Sequence, residues 1–252
     1  MDFFDNFYGR SPTIRCRAPA IGTAELNVYP VAQNIKWNTV FDAAYTLAIS
    51  SSSAADAAAG TGARTIEIYG LDAAFNPLQE TIALNGQTFV TTINSFRRVF
   101  AAVVQTYGSG GVNAGDLYIY KTGTGGTITA GVPGTLTGVA LKMLVGDNLA
   151  FSGLFTAPRG QNYKIRMIAV NARAQAGTLI CKHGKPANTT GIGPFSELKL
   201  EFGAGTSVTE LDFAEDQTPF MINEREDFYF TALCAAAGGI VNVTTKLERT
   251  NN

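Results

Sequence analysis

The chain has 252 residues, enough for one large β domain or two of ordinary size, and 46% of them are hydrophobic. Charged residues make up only 15%, against about a quarter in an average soluble domain. With 19 basic and 20 acidic side chains the formal net charge is -1, which excludes a basic field for nucleic acid and leaves little repulsion between copies.

Cys16, Cys181 and Cys234 are odd in number and far apart, without the close pairing of a zinc knuckle or a redox motif, so reduced structural thiols are expected. Met1-Asp2-Phe3-Phe4-Asp5 is acidic and aromatic, unlike the start of a secretion signal. No run approaches the roughly 20 apolar residues of a membrane span. The expectation is synthesis in a cytosol, with neither a membrane nor a nucleic acid as partner.

In chain order, residues 1–34 carry Pro12, Pro19 and Pro30 with no helical or alternating period, and read as an extended N-terminal arm. Ala43 to Ala59 is rich in alanine and serine, with Asp56 as its only charge between Asp42 and Arg64, and fits a short helix or a loop. From Arg64 the grammar is that of strands: Thr65-Ile66-Glu67-Ile68-Tyr69 alternates and stops at Gly70-Leu71-Asp72. Glu80 to Leu84 and Gln87 to Thr92 flank Asn85-Gly86, a pair that tolerates positive φ, and predict a tight hairpin. Arg98 to Val104 and Leu117 to Lys121 are further strands, followed by a glycine-threonine connection from Gly123 to Gly138 and a possible helical turn over Val139 to Val145.

A second β unit follows, with strands expected over Phe151 to Phe155, Tyr163 to Val170, Thr178 to Lys182, Ser196 to Phe202, Ser207 to Phe213, Phe228 to Leu233 and Val241 to Leu247. No strands alternate with long helical patterns, so the fold class is all-β, a β-sandwich or jelly roll. The expected divisions are an arm over 1–34, a first β-sandwich unit over 35–145 and a second over 146–252.

Catalytic chemistry has few footholds. His183 is the only histidine, in Cys181-Lys182-His183-Gly184-Lys185-Pro186; a Cys-His pair needs hydrogen-bond reach that residues two apart on a strand do not guarantee, and a strand end entering a turn accounts for the segment. Ser109-Gly110-Gly111 and Thr122-Gly123-Thr124-Gly125-Gly126 lack the lysine-hydroxyl pair of a phosphate loop and read as turns. Glu210, Asp212, Glu215, Asp216, Glu224, Glu226 and Asp227 could hold a glycosidase acid pair or a calcium ion, but without regular ligand spacing a solvated turn explains them better. Arg97-Arg98 is too short for a DNA-binding stripe. Trp37, Tyr69, Phe75, Tyr118 and Tyr120 could line a sugar platform, with core or sheet-face packing as the default. No catalytic, cofactor-binding or metal-binding residue is assigned, no cofactor is implied, and the chain reads as a non-enzyme.

Two passages resemble the virion structural proteins of tailed bacteriophages, notably those of marine and cyanobacterial hosts. The first runs from Gly62-Ala63-Arg64-Thr65-Ile66-Glu67-Ile68-Tyr69-Gly70-Leu71-Asp72 through Asn76, Glu80 and Leu84-Asn85-Gly86 to Arg97-Arg98. The second runs from Phe155-Thr156-Ala157-Pro158-Arg159-Gly160 to Pro219-Phe220-Met221-Ile222-Asn223-Glu224-Arg225-Glu226-Asp227. The resemblance implies a jelly-roll or sandwich subunit of the virion, assembled in the host cytoplasm. Such subunits are frequently threefold and decorate a capsid, form a head fibre or belong to the tail. The partners it implies are other copies of the chain, as a homotrimer or another symmetric homo-oligomer, and the major capsid protein or another virion protein. A tail or fibre module that binds host surface glycans is the alternative. No active-site residue is carried over with it.

Overall fold

The computed structural model describes residues 12–28, 42–184, 196–203, 208–213 and 221–250. Every regular element among them is a β-strand. In the first part of the chain these are β1 (Thr13–Ile21), β2 (Leu26–Asn27), β3 (Leu47–Ser51), β4 (Ala63–Leu71), β5 (Pro77–Ala83), β6 (Val90–Thr91), β7 (Arg98–Tyr107), β8 (Leu117–Lys121), β9 (Ile128–Thr129), β10 (Val132–Pro133), β11 (Val139–Met143) and β12 (Leu149–Phe151). Then come β13 (Leu154–Thr156), β14 (Asn162–Arg173), β15 (Gly177–Gly184), β16 (Ser196–Phe202), β17 (Val208–Asp212), β18 (Met221–Ile222), β19 (Asp227–Cys234) and β20 (Gly239–Thr250). The strands form two compact units, one of residues 1–38 with 153–252 and the other of residues 39–152.

The discontinuous unit has two antiparallel sheets. One is ordered β1-β20-β14-β17, with β18 continuing the β17 edge along β14; the other is ordered β13-β19-β15-β16, with β2 continuing the β13 edge along β19. Successive strand positions alternate between the sheets except at β15 and β16, which are neighbours in one sheet, and this is the eight-position order of a jelly roll. Side-chain alternation builds its core: Val241, Val243, Thr245 and Leu247 of β20 are buried, whereas the intervening residues are half-buried or exposed. Phe155 of β13 meets Tyr163 of β14 edge-to-face, with ring centroids 5.0 Å apart, tying one sheet to the other. Each fully buried side chain of this size contributes about 1.5–3 kcal/mol of transfer free energy.

Two expectations change here. Thr13 to Lys246 and its neighbours pair in register through Ala18 and Val241, so the described part of the expected arm is an integral sheet strand. Cys16, Ala18 and Ile21 supply it with a buried face; the prolines had masked that alternation. The strand expected over Phe151 to Phe155 is divided at Ser152, β12 belonging to one unit and β13 to the other.

The seam is a single strand cut open. Leu26 pairs with Ala232 and Asn27 with Thr231, the Val28 N–H donates to the Phe230 carbonyl at 3.0 Å, and Leu154 then pairs with Tyr229 and Phe155 with Phe228. Val28 and Leu154 therefore hold consecutive register positions along β19, although 125 residues of sequence separate them. Gly153 sits at φ 74° where the chain re-enters, and a Cβ there would lie 2.9 Å from the Val28 carbonyl oxygen and 2.8 Å from the Cys16 side chain.

The continuous unit, 39–152, has sheets ordered β11-β8-β3-β6 and β12-β7-β4-β5, with β9 and β10 forming a small separate hairpin. Its neighbour order is that of the first unit with the two opening strands moved to the end: β11 and β12 occupy the places of β1 and β13. In strand order the two units are thus one jelly roll and its circular permutant.

Three sequence expectations differ within this unit. Residues 43–59 contribute the fully buried strand β3 and a loop. Val139 to Met143 is a strand paired with β8, its apolar residues buried by sheet packing. At Asn85-Gly86 the turn exists, with Gly86 at φ 59° and the Thr88 N–H on the Asn85 carbonyl, but the flanking strands do not pair. β5 pairs β4 and β6 pairs β3, so the turn carries the chain from one sheet to the other.

Candidate functional site

The structure gathers the chemically notable side chains at two loop ends, one on each unit. In the discontinuous unit, the turns 157–162 and 222–227 are knitted together. The Ala157 N–H donates to the Glu226 carbonyl and the Arg225 N–H to the Ala157 carbonyl. Glu224 Oε2 accepts the Gly160 N–H at 2.7 Å, while the Glu224 N–H reaches Asn162 Oδ1 at 2.8 Å. His183, on the inward face of β15, brings Nε2 to 2.5 Å from Glu226 Oε2, which also accepts the N–H and Nδ2 of Asn223. Burial pushes the Glu226 carboxyl up, but the Asn223 N–H and the His183 imidazole outweigh it and hold it below the usual carboxylate range.

This pair orients a turn. Asp227 accepts the Thr156 hydroxyl at 2.5 Å across the β13–β19 pairing, so Glu224, Glu226 and Asp227 each serve a different local bond. Burial pushes the Cys181 thiol up to about 12, which keeps its proton in place at neutral pH and opposes a nucleophilic role. Asp212 is exposed on β17, Glu210 lies on the same strand, and Glu215 and Asp216 fall outside the described residues. On the outward face of β15, Lys182 bridges Glu25 at 2.5 Å and Glu197 at 3.4 Å.

The remaining sequence candidates also find structural places. Arg97 and Arg98 both lie over the Phe75 ring, at 5.6 and 5.7 Å, and Arg98, 1% exposed, donates to the Arg97 carbonyl. Tyr69, Tyr118 and Tyr120 are buried, and Trp37 lies outside the described residues. Among the described residues no group of three metal-ligating side chains occurs, and no helix is long and apolar enough to cross a membrane.

The second end is built by four loops of the continuous unit, 52–62, 84–89, 108–116 and 144–148, around two buried polar side chains. Asp56 is 0% exposed. Its Oδ1 accepts the N–H groups of Ala63 and Ala114 at 2.7 and 2.8 Å, and its Oδ2 accepts the Ser51 hydroxyl and the Gly115 N–H at 2.6 and 2.9 Å. Its own carbonyl accepts the Gly86 N–H at 2.7 Å. Asn113, equally buried, donates Nδ2 to the carbonyls of Gly115 and Leu144 and exchanges reciprocal bonds with Asn148. Three of the loops are thereby held by hydrogen bonds of two side chains, and the fourth, 84–89, by the Asp56 carbonyl. Sequence reasoning did not single out Asp56 or Asn113 as a site; the signal was the isolation of Asp56 within an alanine-rich run, where a lone carboxylate has backbone as its nearest donors.

Comparison with protein families and with curated proteins gave no match. Among solved structures, that of the infectious bursal disease virus Gx strain aligns with 95% of this chain and 75% of its own at 10% identity and a TM-score of 0.23. That of the Gt strain aligns with 96% and 80% at 8% identity and a TM-score of 0.12. Similarity at this level carries no argument, and the fold assignment rests on the strand order.

Proposed function

We propose that the chain is a structural protein of a virion, of the tailed-bacteriophage kind that its sequence resembles. In this reading it is capsid-associated, as a decoration or head-fibre subunit, and acts by self-association, as a trimer or another symmetric oligomer, and by docking on the capsid protein or another virion component. The observation that carries the reading is the jelly-roll strand order, present in both units. Jelly rolls serve as capsid subunits, lectins and cupins. A cupin-like metal centre draws on several imidazoles, whereas the sole histidine here is bonded to Glu226 at the edge of a core. A lectin site uses accessible aromatic rings; of the rings considered for a sugar platform Tyr69, Tyr118 and Tyr120 are buried, which leaves Phe89 and Tyr107 as the exposed aromatic rings among the described residues. The structural use is the one that asks for nothing beyond the packed sheets and low surface charge this chain has.

The test is to image purified virions and count density matching the chain. Many copies at lattice positions support a shell or decoration role. Copies confined to one vertex shift it to the tail, overturning capsid association, and absence from particles overturns the reading.

A further inference from the structure

We propose that the four-loop end of unit 39–152 is the face through which copies of this chain meet, an inference that rests on the self-association in the function proposed above. Tyr107 and Val112 lie at and after the end of β7, Val145 lies in the loop after β11, and Phe89 lies in the loop before β6. These four are exposed by 53%, 39%, 60% and 46%. They account for most of the large apolar side chains exposed among the described residues, the other two being Ile93 and Met221.

Charge selects the occupant. The four loops contain only three ionisable residues, Asp56, Asp116 and Asp147. Asp56 is buried, Asp116 is held by Lys142 at 2.7 Å, and Asp147 alone stands exposed. A face so poor in charge offers a basic or acidic partner nothing to recognise, but it meets its own copy without like-charge repulsion, and the chain as a whole carries a net charge of only -1. The bonds from Asp56 and Asn113 fix the loops before contact, so little ordering is required on association.

The experiment is sedimentation velocity of the full chain from micromolar to submillimolar concentration, with Val145→Glu and Tyr107→Glu on the face and Ile93→Glu as a control. Ile93, 90% exposed, sits in the loop after β6 at the opposite end of the same unit. The expected result is a concentration-dependent oligomer that Ile93→Glu preserves and that each face variant weakens by at least about tenfold, because an unpaired charge must be desolvated in the contact. Unchanged circular dichroism and melting establish that the variants are folded, as exposed positions predict. A wild-type chain monomeric throughout, or face variants that assemble like wild type, overturns the proposal. If such variants still occupy virions in many copies, the virion reading stands and only the face is wrong; if the wild-type chain is also absent from particles, both fail.

Discussion

Asp56 shows how one side chain can replace a stretch of regular structure. The loop over 52–62 has no strand partner beyond a single bridge of Ala57 to Asn85, yet its ends and the neighbouring loop 108–116 are fixed because a single carboxylate accepts three backbone N–H groups and a hydroxyl. Removing it leaves the Ser51 hydroxyl and the N–H groups of Ala63 and Gly115 buried and unpaired, at about 1–3 kcal/mol each. Asp56→Ala is therefore expected to cost at least about 3 kcal/mol and to lower the melting midpoint of the excised unit 39–152 by about 10 °C or more. A shift of under a few degrees in calorimetry would contradict the assigned role.

The other residue-scale expectation concerns acid. Burial raises the Glu25 and Glu226 carboxyls, but Lys182 and Thr231 around Glu25, and Asn223 and His183 around Glu226, bring both below their ordinary range. A carboxyl depressed in the folded state contributes stability that is fully present above its unfolded pKa, about 4.3 for Glu, and lost as pH falls through the folded value. Melting of the chain should therefore hold between about pH 7 and 5 and decline below about 4.5. Glu226→Gln should cost about 1–3 kcal/mol at neutral pH and flatten the decline. A variant whose acid profile superimposes on that of the wild type would remove Glu226 from the account.

At the scale of elements, what was legible depended on where the information lies. Period-two alternation marked β14 and β20 because each has one buried face, β20 most regularly; in β4 it marked Thr65 to Ile68, while Tyr69, on the face of Thr65 and Glu67, is itself buried. Alternation failed for β3, which is buried on both faces and so short that Leu47-Ala48-Ile49-Ser50-Ser51 has no polar period to show. It failed for β11 for the same reason. Asn85-Gly86 encoded its turn but not the destination of the chain after it, because a turn fixes local φ and ψ while pairing is decided by strands distant in sequence. The candidate site was least legible: that Asp56 would meet Ala114 and Gly115 is a contact between loops 58 and 59 residues apart, and no local pattern records it.

Over the whole molecule, the register along β19 makes a stronger statement than the division into two units. Were residues 29–153 a linker-joined domain, the two halves of the strand they interrupt would be offset or frayed. Instead Asn27, Val28, Leu154 and Phe155 take Thr231, Phe230, Tyr229 and Phe228 in turn, with no position left over. The jelly roll of the discontinuous unit is thus complete without the insert. A chain in which Val28 is joined directly to Leu154 should fold to the same two sheets with one uninterrupted strand. The excised 39–152, whose own jelly-roll order closes on itself, should unfold cooperatively as a separate domain. Shortening the insertion removes loop-closure entropy from the discontinuous unit, so the joined chain should melt no lower than that unit does in the intact protein. Calorimetry with amide exchange on both pieces checks this: protection along β19 and β20 in the joined chain is the expected outcome, and a molten or insoluble joined chain beside a folded 39–152 would mean that the outer unit needs its insert to fold.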